Sequence, residues 1–489
     1  MNYKRVPPNP EDILLLDAPS ITPEIKQKLL QFNKEYQLKG LRFFARLKLK
    51  WEKDNPGKTF PGLCAEVDSV TGRIRPLEEQ RAWSWGDTRA LGIWCYFLQK
   101  NRIPDAEETI DIDSDKVTVN LRDFYNDYCD HLYTCLDQRL ETCDGRIPFL
   151  VDIQTNRASD DPRNLKLQKH EFSGTHIFAV NAFFQYGMLR NNKEAIDMGW
   201  KILEETFRAA HENRFANHMT GKIPFQHSHG LMMVSSGALV DTLKTIGLLE
   251  TRGDSSYSDM KEKLVQAGRW AMDIFLGYHW NRNTKTFAEY LHPVYKTPYE
   301  DDRGRIICDP GHAAEGAGFF SEFHRFLPEN DSTVFRYNRD NMLPVLSAIL
   351  KFIDEHGYSD NGVMFKNIDL KHMQGTADVI DSGGEYRTAP WWNVRECAAA
   401  AIRMFVLTGK ETIWNIYIKA FNACYQNYPN ENIGGLMLQT LDADTMEPLP
   451  FHPATGNLDP MHSPRARERE IEALEEINFL SQESTKNLL

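Results

Sequence analysis

The stretch Pro390-Trp391-Trp392-Asn393-Val394-Arg395-Glu396-Cys397-Ala398-Ala399-Ala400-Ala401-Ile402-Arg403-Met404-Phe405 decides the fold class. The proline breaks the preceding chain, and no glycine or proline interrupts the fifteen residues after it. Four consecutive alanines allow helices to approach closely, which suits an inner helix of a tightly packed barrel. Adjacent tryptophans cannot share one helix face, so one is expected to line a pocket while the other packs behind it. Glu396 lies four residues after Trp392, one turn along the same face. A core aromatic pair beside a solvated glutamate is the alternative.

Outward from this segment, helical periodicity dominates. Helices are expected near 22–52, 78–101, 119–139, 174–190, 193–213, 229–250, 255–277, 311–326, 336–356, 392–408, 411–426 and 464–480. Successive helical hairpins without βαβ alternation predict an all-α (α/α)6 barrel, a toroid of inner and outer helices. An open solenoid would show more regular repeats. Alternating stretches at 287–291 and 435–441 predict small β-hairpins in loops. No Gly/Ser-rich linker divides the chain, so residues 1–22 read as an N-terminal extension and 23–489 as one catalytic barrel.

The net charge of −12 lacks the clustered lysine and arginine that phosphate backbones require, which argues against nucleic acid. The basic stretches 42–53 and 465–469 read as amphipathic helix faces. Residues 1–10 lack the apolar core of a secretory signal, and no run approaches the ~18 apolar residues of a membrane span. The 8 cysteines show no CxxC spacing and read as buried thiols of a cytoplasmic protein. Aromatic residues, at 11%, are plentiful enough for stacking on sugar faces as well as for a core.

Several short motifs could carry chemistry. In Asp309-Pro310-Gly311-His312-Ala313-Ala314-Glu315, aspartate and proline form a helix start. The helix N-terminus would keep His312 neutral, as a base must be, and Glu315, three residues on, could orient it. Gly316, Ala317 and Gly318 would leave space beside it. His462 precedes a second helix start at Ser463-Pro464, with His452 a weaker alternative in the same loop. Trp85 and Arg89 share a helix face, where an arginine could bind a sugar oxygen gaining negative charge. His176 begins an apolar helix and reads equally as a satisfied core histidine. His227 and His229 have histidine spacing for a metal but no carboxylate at convincing distance, so no metal is expected.

In this order, these islands resemble the N-acylglucosamine 2-epimerase superfamily, with its cellobiose 2-epimerases and mannose-type aldose–ketose isomerases. Pro310 to Glu315 is similar to the family's PGHxxE motif, and His462-Ser463-Pro464-Arg465 to its late His-x-Pro-Arg. Trp85–Arg89 resembles its early Trp-x-x-x-Arg helix, and Trp391, Trp392 and Glu396 its Trp-Trp-x-x-x-Glu helix start. Thr175-His176 resembles an inner-helix start of the cellobiose branch, and Glu289 an acidic position before PGH. Val394, Arg395 and the segment 376–390 depart from the pattern, and 100–170 shows little correspondence.

The resemblance implies a barrel that epimerises reducing sugars at C2 without a redox cofactor. His312 and His462 would be the acid/base pair. Arg89, His176, Glu289, Glu315, Trp391, Trp392 and Glu396 would form the substrate-binding shell. It also allows a homodimer. Aldose–ketose isomerisation, a toroidal glycoside hydrolase using Asp378, Asp381 and Glu385, and a non-catalytic sugar-binding or regulatory protein are the alternatives.

Overall fold

Thr22 caps the Ile25 N–H and Pro23 takes the first helical position, and there the first barrel helix of the computed structural model begins. The structure describes residues 5–63, 67–74, 80–160, 164, 172–212, 215–216, 227–292, 294–329, 336–377, 386–449 and 462–478. Among these are twelve α-helices: α1 Pro23–Asp54, α2 Ser84–Gln99, α3 Leu121–Thr142, α4 Gly174–Arg190, α5 Lys193–His211, α6 His229–Thr251, α7 Ser258–Ile274, α8 Pro310–Phe323, α9 Arg339–His356, α10 Trp391–Thr408, α11 Glu411–Asn427 and α12 His462–Glu476.

Even-numbered helices form the inner ring, each packed on the next from α2 to α12, and each odd-numbered helix packs outside an inner one. Contacts of Glu472 with Tyr96 and Lys100, and of Glu468 with Arg102, close the ring between α12 and the α2 end. The two layers differ as their sequences require. Outer α9 buries one stripe, Met342, Leu346, Ile349, Leu350, Phe352 and Ile353, whereas inner α8 and α10 are buried on nearly every side. Ala398 to Ala401 are fully buried, as expected of close inner packing. Residues 5–18 run along α11: Leu16 and Asn422 exchange two hydrogen bonds of 2.8 Å, and the Trp414 indole donates to the Ala18 carbonyl.

Residues 287–291 and 435–441 contribute strands to small hairpins, as expected, and each segment also pairs with a second, distant strand. Thr286–Phe287 pairs with Trp280–Asn281 and Tyr290–Leu291 with His227–Ser228; likewise Leu436–Met437 pairs with Pro429–Asn430 and Thr440–Asp442 with Thr388–Pro390. The longest hairpin, Glu107–Ile112 with Asp115–Asn120, buries Ile110 and Ile112 beside α1 in the stretch without correspondence. Helix α6 contains one window, Met232–Thr251, long and apolar enough to cross a membrane, but it is an inner barrel helix and 72% of that window is buried. The seven described cysteines are free thiols, six of them buried.

The stretch 465–469 departs from its expectation. This is no solvated face: Arg465, Arg467, Glu468, Arg469, Glu470 and Glu472 are all buried on α12. Each finds a partner on another helix, since an unpaired charge here would cost several kcal/mol. Arg395 of α10, one of the departures from the family pattern, meets Glu470 at 2.7 Å with both side chains fully buried. Replacing Glu470 by leucine should lower the urea-unfolding free energy by about 3–5 kcal/mol, and adding Arg395→Met should recover most of it. Losses that simply add would show that the pair is not coupled.

Candidate active site

Short strands set the start of the inner helices. Ala82–Trp83 leads into α2, Phe172–Ser173 into α4, His227–Ser228 into α6, Ile307–Cys308 with Asp309 into α8, and Thr388–Pro390 into α10. Each is paired to another segment, so five helix N-termini are pinned around one mouth of the barrel. The motifs at Trp85–Arg89, Thr175-His176, Pro310–Glu315 and Trp391–Glu396 lie at such starts, and the His462 motif opens α12.

His312 is the third residue of α8. The Asp309 carboxylate accepts its backbone N–H at 3.1 Å, capping the helix. Gly311 permits the close approach of α10, since a Cβ there would collide with Asn393 Oδ1 and meet Trp392 Cζ3 at 2.7 Å. The His312 Nδ1 lies 3.2 Å from Glu289 Oε1 and 3.2 Å from Asp309 Oδ2. Glu289 is fixed by its backbone: its N–H donates to Ile307, ahead of α8, and its carbonyl accepts from His229, the first residue of α6. Its carboxylate also accepts the Gly230 N–H at 3.2 Å.

On α12, the His462 Nδ1 lies 2.9 Å from Glu396 Oε1. Arg465 bonds Glu315 and lies 3.3 Å from Glu396, whose other oxygen accepts from Arg469 at 3.0 Å. Arg469 reaches on to Glu322 at 2.8 Å. Glu315, Glu396 and His462 bring donor atoms within 4.8 Å of one another, a metal-like spacing. The Arg465 guanidinium already lies on both carboxylates, where a metal ion would have to sit.

Trp392 joins the two halves. Its ring lies 5.2 Å from the His312 ring, tilted by 32°, and 5.2 Å from His462, nearly parallel at 18°. The Lys366 ammonium stands 4.5 Å over the same indole. Trp391 packs behind, 2% exposed, its indole donating to Gln439, so of the two tryptophans only Trp392 faces both histidines.

Several expected roles are displaced. Glu315 does not orient His312, whose Nδ1 is taken by Glu289 and Asp309; it serves Arg465 and lies 4.0 Å from His462. His312 is not held neutral by the helix start. Burial disfavours its charge, but Asp309 and Glu289 outweigh both that and Lys366 and raise its pKa. Gly316 and Gly318 leave no open space, because Cβ atoms there would meet Phe275 and His229, and Arg469 and Ala400. His462 is the first residue of α12, not a loop residue before it.

His176 is fully buried and its Nε2 accepts the Ile147 N–H at 3.1 Å, the core-histidine reading rather than a sugar contact. Arg89 is stacked between Trp85, at 4.5 Å, and Phe178, at 4.1 Å, on the α2–α4 side of the mouth. The structure joins His312 with Glu289, and His462 with Glu396 and Glu315, around Trp392; it gives Arg89 and His176 separate neighbours. His452, Asp378, Asp381 and Glu385 lie outside the described residues.

Sequence reasoning missed Lys366 and weighed His229 only as a metal ligand. The His229 Nε2 donates to the His312 carbonyl at 2.9 Å, and burial, His279 and His312 keep the ring neutral. Its place at an inner-helix start, like those of the other motifs, was the available signal. Burial raises the Glu396 carboxyl, but Arg465, His462 and Arg469 prevail and pull it down to about 2.

No family model and no curated protein matches the sequence. Solved structures do. Cellobiose 2-epimerase from Bacillus thermoamylovorans superposes with a TM-score of 0.64 at 14% identity, over 92% of this chain and 100% of that one. A D-mannose isomerase gives 0.63 at 12%, covering 94% and 100%. Cellobiose 2-epimerase from Spirochaeta thermophila gives 0.61 at 12%, covering 93% and 99%. The fold is theirs. The expected (α/α)6 barrel is thus the observed one.

The raised His312 pKa has a consequence for stability. Protonation of this residue favours the folded state, so its contribution is complete below the unfolded value of about 6.5 and disappears as pH rises through the higher folded value. In urea titrations, His312→Asn should cost more stability near pH 5.5 than near pH 8.5. Equal costs would mean an unshifted imidazole.

Proposed function

We propose that the chain is a carbohydrate isomerase that interconverts C2 epimers of a reducing sugar, of the N-acylglucosamine/N-acylmannosamine type. One observation carries this reading: two imidazoles lie against a single tryptophan ring, each with its Nδ1 on a buried carboxylate. A carboxylate at Nδ1 fixes the tautomer, so the proton that comes and goes is the one on Nε2. Two such groups beside an aromatic floor suit proton removal from one face of a sugar carbon and delivery to the other.

In the proposed reaction the sugar opens to expose its C1 carbonyl. The C2 hydrogen becomes acidic, because the electrons left behind delocalise onto that oxygen. In the proposed direction His462 removes the C2 proton, and His312, whose charged form Asp309 and Glu289 favour, returns one to the opposite face. The other epimer uses the roles in reverse. Arg89, on the α2 side of the mouth, is the proposed cation for the enolate oxygen. No redox cofactor is called for, since the carbon is neither oxidised nor reduced overall.

Aldose–ketose isomerisation needs only that one base carry the proton between C2 and C1, and a D-mannose isomerase shares the barrel. A glycoside hydrolase needs two available carboxyl groups. Among the described residues, Glu289, Asp309, Glu315 and Glu396 are bound to histidine, lysine or arginine; Asp378, Asp381 and Glu385 lie outside the described residues.

Proton NMR in D2O with N-acetylglucosamine, N-acetylmannosamine, glucose, mannose and cellobiose tests the proposal. Deuterium should enter C2 of at least one sugar with formation of its epimer. His312→Asn and His462→Asn should each slow this by at least about a hundredfold without loss of helical circular dichroism. A ketose product would select the isomerase reading, and absence of exchange with every sugar would sink both.

A further inference from the structure

Two carboxylates stand 3.2 Å from one nitrogen of His312, and that nitrogen carries one hydrogen. It can donate to only one of them. The other is a buried carboxylate, 2% exposed, that needs a cation of its own. Lys366 supplies it. Its ammonium bonds Asp309 Oδ2, while Asp309 Oδ1 accepts the His312 backbone N–H. The Nδ1–H is left to Glu289, which also holds the Gly230 N–H.

Lys366 is built into this position. Its backbone N–H donates to Thr388, in the strand that leads into α10, and the carbonyl of the preceding Phe365 accepts from Asn393 in the first turn of α10. The residue is thereby tied to the helix start that carries Trp392, and its side chain is only 16% exposed. We infer that Lys366 is a positioning residue for His312: by engaging Asp309 it assigns the imidazole to Glu289 and limits how strongly the site holds the His312 proton.

The groups facing His312 are few. Glu289 and Asp309 favour its charged form, and Lys366 opposes it. From α6, His229 meets its backbone carbonyl, with His279 behind. From α10, Trp392 packs on its ring and on that of His462 of α12. Lys366 is therefore the described cation set directly against the His312 carboxylates. An acid that must also release its proton within each catalytic cycle needs such a counterweight.

The role in turnover rests on the function proposed above, so the test reads the imidazole itself. Protein labelled with 13C at histidine Cε1 is titrated by NMR, and the His312 signal is assigned by its loss in His312→Asn. Lys366→Met should raise the His312 midpoint by about one pH unit, and Lys366→Gln should do the same if the methionine variant folds poorly. Lys366→Arg should stay near the parent value. Adding Asp309→Asn, which keeps a capping oxygen but removes the charge, should bring the Lys366→Met midpoint back down. A midpoint that does not move in Lys366→Met or Lys366→Gln, or that the added Asp309→Asn does not lower, overturns the inference, whether or not any sugar proves to be a substrate. Where C2 exchange is seen, the alkaline limb of its pH profile should move with the NMR midpoint.

Discussion

The pairing of charges along α12 is the constraint on which the barrel and its site both depend. An inner helix touches protein on every side, yet this one carries three arginines and several glutamates in its buried positions. Water cannot satisfy them, so partners must come from the rest of the ring. They do: Asn33 from α1, Tyr96 from α2, Lys244 from α6, Glu315 and Glu322 from α8, and Arg395 and Glu396 from α10. The same contacts that seat the helix also place the carboxylate behind His462. Geometry at the mouth and closure of the ring are one problem with one solution.

The two histidines draw on this network unequally. The carboxylates near His462 are engaged by Arg465 and Arg469, which also tie them to the barrel interior. Of those near His312, Asp309 is engaged by Lys366 and Glu289 by the Gly230 N–H. The two imidazoles thus have unequal surroundings, although both rest on the same indole.

Much of this was legible in the sequence. All twelve helices were visible from their periodicity, because most inner helices are apolar on nearly every side and outer ones striped, and their caps are local signals. The 174–190 helix, for instance, has the bounds that its pattern predicts. Strand pairing was only partly legible: the hairpin of 286–287 with 280–281 follows from local alternation, but the partner of 290–291 lies far off at 227–228. The run 465–469 misled for a related reason, since charges at helical spacing look solvated until the other helices are in place. Glu315 shares a face with His312, yet that face turns towards α12. Lys366 sits in no motif, and only the fold brings it to Asp309.

The order of the chain gives this architecture a direction in time. Translation produces α12 after the other eleven helices, and domains begin to organise while the polypeptide is still emerging. A nascent chain that has released residue 450 already possesses His312, Glu289, Trp392 and Glu396, but neither His462 nor the arginines that neutralise the interior carboxylates. The unfinished ring thus holds charges of both signs that lack their partners at the gap α12 will fill, Glu315 and Glu396 of one sign and Arg395 of the other. The incoming segment brings three buried arginines and three buried glutamates to meet them, and His462 arrives with it.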